Sequence, residues 1–161
     1  MTIPEPQALG LAYPGWRDGQ RETIERIASS KARITILEAP PGSGKTAISL
    51  GLLLGTNSTG VVLTATKSLQ AQYMREANGQ GRMISGRQNY LCVLPQEDPE
   101  MANRLGVTPG LTVDSAPCTI GYKCPVKDVC PYFVDKGEAL RAKVSIHNYP
   151  YWLRASTYGN D

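Results

Sequence analysis

Apolar and polar positions divide the first half of the chain into short, readable elements. Over 17–29, Ile24, Ile27 and Ala28 fall at helical spacing among Arg, Glu and Gln, which predicts an amphipathic helix entered through the Pro-Gly of YPGW. A strand is expected next, over 33–37. TAISLGLLLG predicts a buried helix ending near Gly55. After the turn-prone NSTG, GVVLTAT predicts a second strand and LQAQYMREA a third helix. Strand, loop, helix, strand and helix in that order are the signature of a parallel sheet covered by helices, an α/β fold.

Periodicity fades over 79–131, where Gly, Pro, Cys and short polar runs predict a loop-rich insertion that needs a staple to hold it together. Regular patterning returns with a helix around VDKGEALRAK and a candidate strand, VSIHNY. A dozen residues follow Tyr149. The chain thus reads as three stretches, 1–78, 79–132 and 133–161.

Composition alters this little. The 161 residues are 41% hydrophobic and 19% charged, as in an ordinary soluble domain, and no repeat or low-complexity tract interrupts them. No apolar run approaches the roughly 18 residues that span a bilayer, and MTIPEPQALG lacks a basic cluster and an apolar signal core; a cytoplasmic location with no membrane partner is expected. The net charge of +3 permits a polyanionic partner without requiring one.

The strongest chemical signal is EAPPGSGKTAISL. A phosphate-binding loop is usually GxxxxGK[ST]; here Ala39 takes the first glycine position, giving APPGSGKT. Pro41, Gly42, Ser43 and Gly44 form the cradle, in which the glycines let backbone N–H groups converge on phosphate. Lys45 is expected to reach the β and γ oxygens, and the Thr46 hydroxyl to ligate Mg2+. Lys45 and Thr46 are therefore the expected catalytic residues. The bland alternative is a Gly-Ser turn before a core helix.

Cys92, Cys118, Cys124 and Cys130 are all the cysteines of the chain, and all lie in the irregular stretch. Without an export signal they point to metal ligands rather than disulfides. Five residues separate neighbours in the last three, and twenty-five separate Cys92 from Cys118. Structural zinc sites usually pair cysteines two to four residues apart, whereas a [4Fe–4S] cluster tolerates more varied spacing; zinc remains open beside the cluster.

At this point the sequence resembles the superfamily 2 iron–sulfur DNA helicases of the DinG/XPD type. Four features carry the resemblance: the alanine-first loop; SGRQNYLC leading into Cys92; the evenly spaced triplet running into CPYF; and AKVSIHNYPYWL. The resemblance implies a RecA-like motor domain over 1–78, an iron–sulfur insertion over 79–132, and a return to the motor domain over 133–161. It implies that Tyr13, Arg17 and Gln20 frame the adenine of ATP, and that LTATKSLQAQ holds the DNA backbone through Thr64, Thr66, Lys67 and Ser68. Arg87 would pair with a DNA phosphate or with a cluster thiolate. The implied partner is single-stranded DNA, unwound 5′ to 3′ in DNA repair, at the nucleoid or, in a eukaryote, in the nucleus.

Plainer readings stand beside these: a Ser/Thr helix cap at 64–68, core packing for Tyr90, and a structural role for His147, the single histidine. The sequence contains no apolar strand followed by paired acids after the loop, so a DEAH-type Walker B motif and a second motor domain would come from elsewhere, including a second polypeptide. The chain is expected to stop short of Walker B and to hydrolyse little ATP alone. Two alternatives are a nucleotide kinase with a four-cysteine zinc lid and a nucleic-acid-binding module without turnover.

Overall fold

A computed structural model describes residues 2–158. Helix α1 (Gln20–Ala28) buries Ile24, and helix α2 (Lys45–Gly55) buries Ala47, Ile48, Leu50 and Gly51. The two helices pack closely, and a Cβ at Gly51 would stand 2.4 Å from the Trp16 ring, so only glycine fits there. Ile3, Ile24 and Ile48 form a small core on this side.

Strand β1 (Gly60–Thr64), helix α3 (Lys67–Glu76) and strand β2 (Gly81–Ile84) follow. Two short helices, α4 (Leu94–Glu97) and α5 (Pro99–Arg104), lead into turns around the cysteines. Helix α6 (Pro131–Arg141), strand β3 (Val144–Asn148) and helix α7 (Tyr149–Tyr158) close the fold.

Among the described residues the strands form one parallel sheet in the order β1-β3-β2, with Gly60 and Gly81 both in register with Val144. All five residues of β3 are buried, as expected of a central parallel strand covered on both faces. Leu11, Leu50, Val62, Ala77, Val144 and Ile146 form the main core. Each fully buried Leu or Ile in it contributes about 1.5–3 kcal/mol relative to exposure.

The amphipathic helix, the buried helix, GVVLT, the third helix and VSIHN lie where the pattern predicts them. One element does not. Residues 33–37 have no regular structure, with Ile34 77% and Ile36 90% exposed. The expected strand fails because β1 and β2 each pair only with β3 among the described residues, and no strand lies beside 33–37 to complete its hydrogen bonds. Conversely, GRMI, at the start of the stretch read as a loop-rich insertion, is strand β2 of the central sheet.

The rest of that stretch has its own core, in which Cys92, Leu94, Ala102, Val107 and Ala116 are buried together. A neighbouring cluster of Ile84, Val113, Cys130, Tyr132 and Ala139 joins it to the sheet. Cys118 packs against both. No helix among the described residues is long and apolar enough to cross a membrane.

Candidate nucleotide site and cysteine cluster

The loop before α2 is shaped by two left-handed glycines, Gly42 at φ +79° and Gly44 at φ +81°. That backbone turns the chain sharply into α2, whose first amides lack intrahelical acceptors and receive no side-chain cap. Such a helix start attracts phosphate through its free N–H groups and the positive end of the helix dipole. Ser43 Oγ is buried beside it without a hydrogen-bond partner. Thr46 is partly exposed on the first turn.

Lys45 Nζ donates to the carbonyls of Ala39 and Pro40, both at 2.9 Å. The ammonium is thus held over its own loop by two neutral acceptors, partners that phosphate oxygens, carrying full charge, would displace.

Residues upstream clamp the loop. Arg17 Nη1 donates to the Gly42 carbonyl at 2.9 Å, and the buried Gln20 donates through Nε2 to the Ser43 carbonyl at 2.9 Å. Gln20 Oε1 accepts from the Arg17 amide, also at 2.9 Å. Both ends of the Gln20 amide are therefore engaged by backbone, and one Nε2 hydrogen remains over. Tyr13 is not part of this clamp: its hydroxyl donates to Glu76 at the end of α3, and burial followed by that carboxylate pushes its pKa well above the usual phenol range.

The residues at the start of α3 divide by role. Thr64 is buried, and its hydroxyl donates to the carbonyls of Thr66 and His147 at 3.3 Å, which ties β1 to β3 and turns the group away from solvent. Thr66 caps α3, accepting from the Leu69 amide at 3.2 Å. Ser68 and Lys67 are exposed, and Lys67 Nζ donates to Asn89 Oδ1. The threonines thus fill structural positions, while Lys67 and Ser68 face solvent.

Asn89 lies in the turn Arg87–Asn89 that opens the path to Cys92. Arg87 sits over the Tyr132 ring, 5.2 Å from its centre. Tyr90 packs edge-on against Tyr132 and donates to Asp135 Oδ2 at 2.9 Å, a packing role. His147 is likewise structural: its Nε2 is 2.7 Å from Ser145 Oγ, and burial lowers its pKa.

All four cysteines are free thiols. Burial raises the Cys118 pKa first; Arg87 opposes the shift, and the charges of Cys124, Cys130 and Cys92 add to it. Cys124 is raised by burial, opposed by a hydrogen bond from the Val126 backbone, and raised further by Cys130 and Cys92. Cys118 thus lies within reach of Arg87 and of the other three thiols, and Cys124 within reach of Cys130 and Cys92. Among the described residues no three His, Cys, Asp or Glu side chains stand close enough to grip a single ion.

Comparison with protein families finds a match to the AAA domain over residues 15–88. Residues 15–88 are thus similar to an AAA-type P-loop NTPase domain. The match takes in the Arg17 and Gln20 clamp, the phosphate loop, β1, α3 and β2, and it ends before Cys92. No curated protein and no solved structure matches the chain.

The similarity of 15–88 to an AAA-type P-loop domain, with its phosphate loop and parallel sheet, implies nucleotide and Mg2+ binding. Sequence reading missed the partners that orient the site residues, namely Glu76, Asn89 and Asp135. Each lies far along the chain from the residue it serves, and no local pattern marks it.

Proposed function

We propose that the chain is the ATP-binding and iron–sulfur part of an ATP-dependent DNA helicase that moves 5′ to 3′ on single-stranded DNA. The observation that carries this reading beyond a generic P-loop domain is four free cysteines in the stretch beside it, with Cys118 packed against both the cluster that buries Cys92 and the one that buries Cys130. Four thiols are the ligand number of a [4Fe–4S] cluster, and their spacing of twenty-five and then five residues is unlike the close cysteine pairs of structural zinc sites.

In this reading Cys92, Cys118, Cys124 and Cys130 hold a [4Fe–4S] cluster, whose contribution is to fix the fold of the cysteine-rich stretch. Arg17 and Gln20 hold the loop, the α2 amides and Lys45 bind the phosphates, and Thr46 binds Mg2+. The remaining Nε2 hydrogen of Gln20 and the guanidinium of Arg17 favour adenine. Lys67 and Ser68 contact the DNA backbone, with Arg87 as a further cation. Hydrolysis draws on an acid and a second motor domain outside these residues, supplied by a second polypeptide or by further chain.

The test is to purify the chain without oxygen and measure iron, acid-labile sulfide and zinc per protein, with the visible spectrum. About four irons and four sulfides with a broad brown chromophore are expected. One zinc and no chromophore would overturn the reading in favour of a zinc-lidded nucleotide kinase.

A further inference from the structure

Three parts of the chain meet at a small group of hydroxyls and one carboxylate. Tyr13 belongs to the segment before α1, Ser49 to α2, and Tyr73 and Glu76 to α3, where a spacing of three residues puts the last two on one face of the helix. The Tyr73 hydroxyl lies 3.0 Å from Ser49 Oγ, and Tyr13 donates to Glu76. All four side chains are half-buried.

The direction of the first link follows from its donors. Ser49 Oγ gives its single hydrogen to the Thr46 carbonyl at 2.9 Å, so the Tyr73 hydroxyl is the donor to Ser49. Through Ser49, Tyr73 thereby reaches the residue whose hydroxyl is assigned to Mg2+. The second link starts at Glu76, whose Oε2 accepts from Tyr13 and whose Oε1 accepts from Gln72 Nε2 at 2.7 Å. Tyr13 in turn stands within reach of Arg17, which holds the Gly42 carbonyl.

We infer that Tyr73 and Glu76 are positioning residues for the nucleotide site, which rests on the ATP-binding reading above. Each acts through another residue. Tyr73 fixes the start of α2, where Lys45 and Thr46 stand, and Glu76 fixes the segment that leads to Arg17 and Gln20.

Packing alone does not account for these groups. The Tyr13 and Tyr73 rings lie against the main core, a place that phenylalanine would fill as well. Their hydroxyls add nothing to apolar packing, and each needs a partner once it leaves water. The partners they find lie on α2 and α3, so α3 is tied to the chain on either side of the phosphate loop.

The experiment is calorimetric titration with ATP and with GTP, each with and without Mg2+, on the wild-type chain, Tyr73→Phe, Glu76→Ala, Glu76→Gln and Tyr13→Phe, with a melting midpoint for each. Tyr73→Phe is expected to weaken ATP binding roughly tenfold in the presence of Mg2+ and less in its absence. Glu76→Ala is expected to narrow the preference for ATP over GTP by a similar factor. Glu76→Gln keeps an acceptor for Tyr13 and should restore most of that preference, and adding Tyr13→Phe to Glu76→Ala should change it no further.

Lowered midpoints with the wild-type Mg2+ dependence and the wild-type ATP to GTP ratio would make the role structural and overturn the inference. Wild-type affinity in every variant would also overturn it and leave the nucleotide reading standing. No ATP binding by the folded wild-type chain would overturn both. Should Glu76→Ala fail to fold, Tyr13→Phe carries the test beside Glu76→Gln: selectivity is expected to fall in the first and hold in the second, and equal selectivity in the two would contradict the link.

Discussion

The Gln20 side chain donates to the Ser43 carbonyl at 2.9 Å, and a Cβ placed on Gly44 would stand 2.3 Å from that same Gln20 nitrogen. The upstream helix and the phosphate loop therefore fix each other. Gln20 sets the path of the loop, and the missing side chain at Gly44 makes room for Gln20.

Gly44→Ala should accordingly be destabilising twice over. Alanine at φ +81° costs about 1–2 kcal/mol from its Cβ alone, and the new atom also displaces the Gln20 amide. Thermal denaturation should show a lowered midpoint, and ATP affinity should fall with it. Unchanged stability and affinity would mean that the clamp does not shape the loop.

Gln20→Glu keeps the size and reverses one end of the amide. An acceptor then faces the Ser43 carbonyl in a buried place, a cost of about 1–3 kcal/mol. Chemical denaturation of the variant against wild type measures it, and a difference near zero would place Gln20 outside the structural account.

How much of this was legible in the sequence varies with the range of the interaction. The phosphate loop was readable because Gly42, Gly44, Lys45 and Thr46 encode a backbone conformation and a chemistry within a few residues. Residues 33–37 have the composition of a strand, yet a strand exists only with a neighbour, and neighbours are not local. The β2 strand was obscured for the opposite reason: four residues with Arg82 among them show no alternation long enough to read. The link from α3 brings Glu76 together with Tyr13 across 63 residues of chain, and no periodicity marks such a meeting.

His147 makes stability depend on pH near neutrality. Burial lowers its folded pKa below the ordinary 6.5, so the unfolded chain binds the extra proton first as pH falls. Its contribution is complete above pH 6.5 and is lost progressively as pH drops toward the folded value. Because it is the single histidine, His147→Asn should flatten denaturation midpoints measured between pH 5.5 and 7, and a variant with the same slope as wild type would contradict this.

Thr66→Ala removes the cap of α3 by taking the acceptor from the Leu69 amide. A loss of about 1 kcal/mol is expected, seen as a drop of roughly 2–4 °C in Tm. Ser68→Ala, at an exposed position, should leave Tm in place while weakening oligonucleotide binding.

If Cys92, Cys118, Cys124 and Cys130 hold the proposed cluster, its removal should loosen the stretch around them. Trypsin should then cut at Lys123 and Lys127, both exposed between Cys118 and Cys130, faster in chelated and oxidised protein than in protein kept anaerobic. Equal rates, followed by mass spectrometry, would separate the fold of this stretch from any metal.

The central claim is a nucleotide site at residues 15–88, and calorimetric titration of the chain with ATP and Mg2+ tests it most directly. One ATP per chain is expected, weakly bound, poorly replaced by GTP and abolished in Lys45→Ala without loss of fold. Absence of binding by the folded wild-type chain, or binding that survives Lys45→Ala unchanged, would contradict it.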